Sequence, residues 1–170
     1  MKIAVVGATG EVGRMMTRVL QEQNVKPGKI DFYASAKSAG SSVEFYGKKY
    51  EVKELTKKAM KEGYDYLLFS AGGSVSREFA PIAAEAGSVV IDNSSAFRMD
   101  SAIPLVVPEI NGDLLKGYTQ GIVANPNCST IQMVLGLYRI HERFGIRSIV
   151  VSTYQSVSGA GKNGMNELEE

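Results

Sequence analysis

A short apolar run followed by a glycine-rich turn constrains the fold of this chain more than any other feature. Lys2–Val6 predicts a buried strand, the turn reads Gly7-Ala8-Thr9-Gly10-Glu11-Val12-Gly13, and the spacing of apolar residues predicts a helix over 11–23. This arrangement is typical of a nucleotide-binding domain, because the glycines let the backbone approach a pyrophosphate while the helix N-terminus offers it free N–H groups. The alternative is a tight strand–helix turn without a ligand.

The rest of the chain alternates short apolar runs with helical patterns. The predicted strands cover 30–34, 64–70, 89–92, 122–124 and 148–154, a small hairpin covers 43–52, and the predicted helices cover 55–62, 75–86 and 128–144. Alternation of this kind favours an α/β fold of Rossmann type, with a doubly wound, mostly parallel sheet that carries helices on both faces.

The composition excludes several classes of function. A formal net charge of +1 gives no field that would attract nucleic acid or an anionic membrane. No apolar run is long enough to span a bilayer or to form a signal-peptide core. One cysteine cannot form an intrachain disulfide. The sequence therefore predicts a cytoplasmic protein with neither a nucleic-acid nor a membrane partner.

The end of the second predicted strand indicates which dinucleotide is bound. Domains that bind NAD usually place an acidic residue there, about 20 residues past the glycines, to hold the ribose 2′-hydroxyl. Here the segment reads Ala34-Ser35-Ala36-Lys37-Ser38-Ala39-Gly40, with hydroxyls and a lysine but no carboxylate. Those groups suit a 2′-phosphate and favour NADP; the alternative is a solvated loop that happens to carry a lysine.

The single cysteine lies in Asn125-Pro126-Asn127-Cys128-Ser129-Thr130, directly before an apolar helix. Asn127 or Cys128 is expected to cap that helix, and the positive end of the helix dipole favours the nucleophilic thiolate. The N–H groups of the first turn can also stabilise an oxyanion. The alternative is a buried structural cysteine, and placement alone does not separate the two.

The single histidine, His141, does not complete a cysteine–histidine pair. It follows Cys128 by thirteen residues in the same predicted helix, which separates the two Cα atoms by about 20 Å. His141 shares a helix face with Leu137 and Tyr138, so a packing or surface role is expected. One cysteine and one histidine offer no ligand cluster, and no metal site is predicted.

Five segments, in order along the chain, resemble aspartate-β-semialdehyde dehydrogenase, and the resemblance covers the whole chain. They are Gly7–Gly13, Asp92-Asn93-Ser94-Ser95-Ala96-Phe97-Arg98, Val107-Pro108-Glu109-Ile110-Asn111, Asn125-Pro126-Asn127-Cys128-Ser129-Thr130 and Gln155-Ser156-Val157-Ser158-Gly159-Ala160-Gly161. The related N-acetyl-γ-glutamyl-phosphate reductases share the glycine loop but normally carry a different sequence around their cysteine.

The resemblance implies a role for each matching residue. Cys128 matches the nucleophile that forms a thioacyl intermediate, and Gln155 matches a residue that helps to orient the substrate. Arg98 and Asn127 match groups that hold phosphate, although the residues alone favour an exposed arginine at position 98. The implied cofactor contacts are the pyrophosphate loop Gly10–Gly13, the 2′-phosphate contacts Lys37 and Ser38, and the nicotinamide-end contacts Ser158 and Gly159.

The resemblance also implies a reaction. Members of this family reduce β-aspartyl phosphate to aspartate semialdehyde with NADPH and release phosphate, on the route to lysine, threonine and methionine. A thiolate attacks the acyl phosphate, a cation stabilises the departing phosphate, and hydride reduces the thioester. The implied partners are these small molecules, and full-length members are expected to form homodimers or homotetramers.

We predict an NADP-binding domain over 1–155 and the start of a catalytic and dimerisation domain, cut short, over 156–170. The family's second domain supplies a histidine, a carboxylate-binding arginine and a phosphate-binding lysine, so this chain alone is expected to be inactive. One alternative is a non-catalytic NADP-binding sensor or scaffold, against which Cys128 argues. Another is a fragment without ligand that self-associates through the apolar residues Ile149 and Val151 of its last predicted strand.

Overall fold

The computed structural model describes residues 1–157 and 161–169, which form a sheet of seven strands flanked by helices. The strands are β1 (Lys2–Val6), β2 (Lys29–Ala34), β3 (Ser42–Phe45), β4 (Lys48–Glu54), β5 (Tyr66–Phe69), β6 (Val89–Asp92) and β7 (Gly121–Ala124). The α-helices are α1 (Glu11–Glu22), α2 (Gly73–Glu85), α3 (Pro108–Asn111), α4 (Cys128–Phe144) and α5 (Gly161–Glu169).

The order of the strands confirms the doubly wound, mostly parallel sheet. The order is β3-β4-β2-β1-β5-β6-β7, and the only antiparallel pair within it joins β3 and β4. From β1 the chain first builds one half of the sheet through β2 and then returns to build the other half from β5. Such a reversal opens a crevice at the carboxyl ends of the central strands, where α/β proteins bind their ligands.

The two faces of the sheet bury different cores, because successive residues of a strand point to opposite faces. Ala4, Val6 and Leu67 belong to one core, together with Ala80 and Ala83 of α2. Ile3, Val5 and Phe32 belong to the other, against which Leu20 of α1 packs. The continuous apolar run of β1 is therefore explained by burial on both sides.

Helix α1 is where predicted, but most of its apolar stripe is exposed, and only Leu20 of that stripe packs against the core. Gly13 and Thr17 are its buried residues, while Val12, Met15 and Val19 are each more than 40% exposed. The missing side chain of Gly13 lets the helix lie directly on the backbone of the glycine turn. Close approach at this small residue, and not apolar spacing, therefore decides which face of α1 meets the sheet.

The predicted hairpin is confirmed, whereas the predicted helix over 55–62 is wrong. Tyr46 and Gly47 join β3 to β4 with φ angles of 49° and 71°, as a two-residue hairpin turn requires. In place of the helix there is one 3₁₀ turn, Ala59–Lys61. The N–H of Leu55 donates to the carbonyl of Ala34 and so continues the pairing with β2, and Gly63 at φ 70° ends the segment.

The predicted final strand over 148–154 is also wrong. These residues carry no regular structure, and Val150 and Tyr154 are 99% and 98% exposed. Their composition suits a strand, but a strand needs a neighbour to accept its backbone hydrogen bonds, and none of the described residues pairs with this segment. Beyond it, helix α5 extends over nine residues and is not among the predicted helices.

Asp31 of β2 is a nearly buried carboxylate held by three donors. Its oxygens lie 2.7 Å and 3.0 Å from the Nζ atoms of Lys53 and Lys29, and the Tyr64 hydroxyl donates to it at 2.7 Å. The hydroxyls of Tyr64 and Tyr33 are also hydrogen-bonded, at 2.7 Å. Burial raises the pKa of Asp31, but hydrogen bonds from Lys53, Tyr64 and Lys29 outweigh burial and leave the pKa below its ordinary value.

We expect Asp31→Asn to lower the free energy of unfolding at pH 7 by about 1–3 kcal/mol, because it removes the negative charge that Lys53 and Lys29 share and replaces one acceptor oxygen by a donor. A carboxylate whose pKa is lower in the folded state stabilises the fold above its unfolded value, about 3.9, and the contribution is lost as pH falls through the folded value. The difference between variant and parent, measured by urea unfolding, should therefore shrink below about pH 4.

Glu22→Gln is the matched control, since it breaks an exposed ion pair with Arg18 and should cost less than about 0.5 kcal/mol at any pH. A difference for Asp31→Asn that grows on acidification would contradict the proposed network.

Candidate active site

The carboxyl ends of the parallel strands place the residues of the site along one edge of the sheet. Gly7 follows β1, Ser35 follows β2, Ser70 follows β5, Asn93 follows β6 and Asn125 follows β7. Backbone hydrogen bonds tie these loops to neighbouring strands; the N–H of Asn93, for example, donates to Phe69 at 3.0 Å. The glycine turn and the cysteine segment therefore lie on the same edge, although more than 110 residues separate them in the sequence.

The three glycines of the turn differ in whether the fold requires a residue without a side chain. Gly7 has φ +82°, and a Cβ there would lie 2.8 Å from the carbonyl of Ser70. A Cβ on Gly13 would lie 2.1 Å from the carbonyl oxygen of Gly7. Gly10 has an ordinary φ of −77°, and a Cβ would meet only the Gly7 oxygen, at 3.5 Å. The fold itself thus requires Gly7 and Gly13, whereas Gly10 leaves open space before helix α1.

This open space belongs to a crevice of about 430 Å³ between the two halves of the sheet. Its polar lining includes Thr9, Ser35 and Ser70, and its apolar lining includes Val75 and Phe79. Gly10 caps α1 without a side-chain hydrogen bond, so the cap does not occupy the first-turn N–H groups at Glu11 and Val12. A pyrophosphate fits these donors.

Lys37 and Ser38 lie in a turn at the end of β2, beside the crevice. The carbonyl of Ser35 accepts the N–H groups of Ser38 at 2.9 Å and of Ala39 at 3.1 Å. The hydroxyl of Ser41 donates to the carbonyl of Ser38 at 2.6 Å. These bonds fix the backbone, while the side chains of Lys37 and Ser38 stay accessible to an anion.

Cys128 is the first residue of helix α4, and Asn127 is its cap. The Oδ1 of Asn127 accepts from the N–H groups of Ser129 at 3.1 Å and Thr130 at 3.2 Å. The cap uses the side-chain oxygen and leaves the amide nitrogen of Asn127 for a ligand. The Cys128 thiol is exposed, so of the two alternatives left open by the sequence, the buried structural cysteine does not apply.

Gln155 lies beside the cysteine although it follows it by 27 residues in the sequence. Its Nε2 donates to the Sγ of Cys128 at 3.4 Å. The segment that carries Gln155 thus returns to the start of α4 after passing along the helix. The structure therefore brings together the two residues that the sequence analysis proposed as catalytic.

Arg98 is half-buried and anchored, and not the exposed side chain that the residues alone suggest. Its Nε donates to the carbonyl of Asn125 at 2.8 Å, and its Nη2 donates to the carbonyl of Asn93 at 3.0 Å. The side chains of Asn125 and Asn93 are also hydrogen-bonded to each other. Neutral carbonyls fix the guanidinium without cancelling its charge, which leaves a cation on the loop after β6, hydrogen-bonded to the segment that leads to Cys128.

Asp92 is a positioning residue to which the sequence analysis gave no role. Its carboxylate is fully buried and accepts hydrogen bonds from the hydroxyls of Ser76 at 2.6 Å and Ser94 at 2.7 Å. These bonds hold the loop after β6, which carries Arg98, against helix α2. The available signal was an acidic residue at the end of a predicted strand, followed by asparagine and two serines.

The other sequence predictions have mixed outcomes. His141 lies at the far end of α4, where its Nδ1 accepts the N–H of Ile146 at 3.1 Å, as expected for a surface residue. Ser158 and Gly159 lie outside the described residues. In the ranges that the structure describes, histidine, cysteine and acidic side chains form no cluster of three or more that could hold a metal ion. None of the helices in these ranges combines the length and the hydropathy that a membrane-spanning helix needs.

Comparison with protein families gives two matches that follow each other along the chain. The NAD binding domain of semialdehyde dehydrogenase matches residues 2–118, and the dimerisation domain of semialdehyde dehydrogenase matches residues 137–170. The aspartate-semialdehyde dehydrogenase of Aquifex aeolicus is 53% identical over 169 residues, and that of Campylobacter jejuni is 55% identical over 171 residues. Each alignment covers 99% of this chain and 50% of the relative, so the chain spans about half the length of these relatives.

Solved structures give the same result. The aspartate semialdehyde dehydrogenase II of Vibrio cholerae, complexed with ASA, has a TM-score of 0.92 at 48% identity, over 99% of this chain and 50% of that one. An aspartate semialdehyde dehydrogenase with NADP from Candida albicans shares the fold, with a TM-score of 0.65 at 24% identity, over 85% of this chain and 48% of that one. The match to the NAD binding domain covers more than half of the residues of this chain, so the chain belongs to the semialdehyde dehydrogenase family.

Proposed function

We propose that this chain is the NADP-binding portion of an aspartate-semialdehyde dehydrogenase, with Cys128 as its nucleophile. The Cys128 thiolate attacks the acyl carbon of β-aspartyl phosphate, the bond to the phosphate oxygen breaks, phosphate departs and a thioester forms. Bound NADPH would supply the hydride that reduces this thioester to aspartate semialdehyde. The observation that carries the proposal is the exposed thiol at the start of α4, with the Gln155 amide 3.4 Å away.

The surroundings of Cys128 supply what the attack requires. Asn127 already accepts the N–H groups of Ser129 and Thr130, so the N–H of Cys128 is the first-turn donor that we assign to the oxyanion that forms when the thiolate adds to the acyl carbon. Arg98 and the amide nitrogen of Asn127 are the donors that we assign to the departing phosphate. Gln155 orients the acyl group against the thiol, and its side-chain oxygen is an acceptor for the substrate ammonium.

The preference for NADP over NAD is part of this proposal. It rests on the turn after β2, where Lys37 and the hydroxyls of Ser35 and Ser38 replace a carboxylate. NADPH should bind more tightly than NADH in a calorimetric titration, because charge-assisted contacts to the 2′-phosphate are available to only one of them. We expect Lys37→Ala to weaken the binding of NADPH about threefold to tenfold and to leave the affinity for NADH unchanged. The effect is moderate because solvent screens the charge of an exposed lysine.

Lys61→Ala is the matched control, since it removes the same charge from an exposed lysine that precedes β5 and lies away from the carboxyl edge. Equal affinity of the parent chain for the two cofactors would overturn the proposed preference. A Lys37→Ala variant that keeps the full preference for NADPH would show that Lys37 does not contribute to this preference.

Three further assignments rest on the resemblance. Ser158 and Gly159 are proposed to contact the nicotinamide end of the cofactor. The boundary between the NADP-binding domain and the catalytic and dimerisation domain is proposed at residue 155. Longer members of the family are proposed to be homodimers or homotetramers. The cytoplasmic location proposed for this chain rests instead on its own sequence, since a reducing compartment suits its single, nucleophilic thiol.

A further inference from the structure

A second cavity, of about 320 Å³, lies between helix α1 and the start of the β3–β4 hairpin. Its lining is mostly polar and includes Thr9, Arg14, Arg18 and Ser41. Thr9 also lines the crevice at the glycine turn, so the two cavities adjoin at this residue. A ligand that lies along the glycine turn therefore has the second cavity directly beside it.

The two arginines of this cavity differ in their partners. Arg18 forms an ion pair with Glu22, with its Nε 2.8 Å from the carboxylate. Arg14, one turn earlier on the same helix, makes no ion pair or side-chain hydrogen bond with any residue that the structure describes. Glu44, the one carboxylate among the lining residues, lies opposite Lys49 in the hairpin register. Arg14 thus contributes a positive charge that no described side chain neutralises.

The second cavity also adjoins the turn that carries Lys37. Ser41 lines the cavity, and its hydroxyl donates to the carbonyl of Ser38 at 2.6 Å. Arg14 therefore lines the cavity from the helix side, and Ser41, on its other side, is hydrogen-bonded to the turn that carries Lys37. A guanidinium binds a phosphate through two parallel N–H groups, which a lysine cannot do.

We infer that Arg14 is a second cation for the 2′-phosphate of the nucleotide and determines, together with Lys37, the preference for NADP. This inference rests on the proposed binding of NADP in the crevice and extends it to a residue of helix α1. Arg18 is excluded from the same role because its charge is already paired with Glu22.

The test is a calorimetric titration of the parent chain, Arg14→Ala, Arg14→Lys and Arg18→Ala. The probes are NADPH and NADH, and also adenosine 2′,5′-bisphosphate and AMP, which isolate the 2′-phosphate from the rest of the cofactor. Arg14→Ala should weaken the binding of NADPH and of the bisphosphate about tenfold. It should leave the affinities for NADH and AMP within about twofold of the parent's values. Arg14→Lys should retain part of this discrimination, and Arg18→Ala should leave all four affinities within about twofold.

Two outcomes would overturn the inference alone: an Arg14→Ala variant with unchanged affinity for NADPH, or one that loses NADPH and NADH equally. In both cases the parent chain still prefers NADPH, so the proposed function stands. A parent chain that binds NADPH no more tightly than NADH would instead overturn the proposed cofactor preference, and the role of Arg14 with it.

Discussion

Replacing Cys128 by alanine is expected to abolish covalent acylation of the chain by an acyl phosphate. The thiol is exposed at the first turn of α4, and the chain contains no other cysteine that could replace it. Incubation with β-aspartyl phosphate without cofactor should give one thioester per parent chain, seen by intact mass, and none in Cys128→Ala. An adduct of the same mass in the variant would assign the nucleophile to another residue.

Gln155→Ala separates orientation from nucleophilicity in the same experiment. The Gln155 amide touches the sulfur at 3.4 Å but forms no bond to the acyl group, so its loss should slow acylation about tenfold without changing the final stoichiometry. Gln23→Ala is the matched control, because it removes the same side chain from the exposed end of α1. An equal decrease in the rate of acylation in both variants would show that Gln155 does not orient the substrate.

Acylation is expected to stop after one event. The histidine of this chain lies thirteen residues beyond Cys128 on the same helix, about 20 Å away, and a base or acid at that distance cannot serve the thiol. Consumption of NADPH with β-aspartyl phosphate should therefore show no steady phase. Sustained turnover at about 1–10³ s⁻¹ would show that these residues form a complete catalytic site.

Local patterns predict the part of this structure that local interactions stabilise. The bounds of α4 were predicted without error, because Asn127 caps its start and Gly145, at φ 69°, ends it. The doubly wound sheet follows from alternating strands and helices. The hairpin follows from polar and apolar alternation on both sides of Gly47. Helix α4 and the hairpin find their hydrogen-bond partners within the same short segment. The strands of the sheet do not, since β1 pairs with β5 from more than 60 residues away, and their apolar runs predict them because they are buried.

Partners that are distant in sequence decide the rest. Residues 148–154 have the composition of a strand, but no strand among the described residues accepts their hydrogen bonds. Arg98 reads as an exposed side chain because the carbonyl of Asn125, which anchors it, lies 27 residues further along the chain. The cavity beside Arg14 depends on how α1 meets the hairpin, and no periodicity encodes that contact.

Gly10→Ala and Gly13→Ala, two identical changes three residues apart, are expected to have opposite consequences. A methyl group on Gly13 would lie 2.1 Å from the Gly7 oxygen and 2.9 Å from the Ala8 Cα, and these backbone atoms cannot rotate away. Helix α1 would have to move off the sheet, at a cost of about 3 kcal/mol or more. For a chain of this length, that cost lowers the melting temperature by about 6–12 °C.

Gly10→Ala should leave the melting temperature unchanged or slightly raised, because its φ of −77° suits alanine and its nearest neighbour lies at an ordinary 3.5 Å. The added methyl group instead fills the space before the helix N-terminus, where we expect the pyrophosphate to lie. Affinity for NADPH and NADH should then fall together, by about tenfold to a hundredfold, since both carry this group. The measurements are calorimetric titration with NADPH and with NADH, and thermal unfolding, on each of the two variants. A Gly10→Ala chain that is stable and still binds NADPH with the parent's affinity would mean that the cofactor does not approach the backbone at this turn.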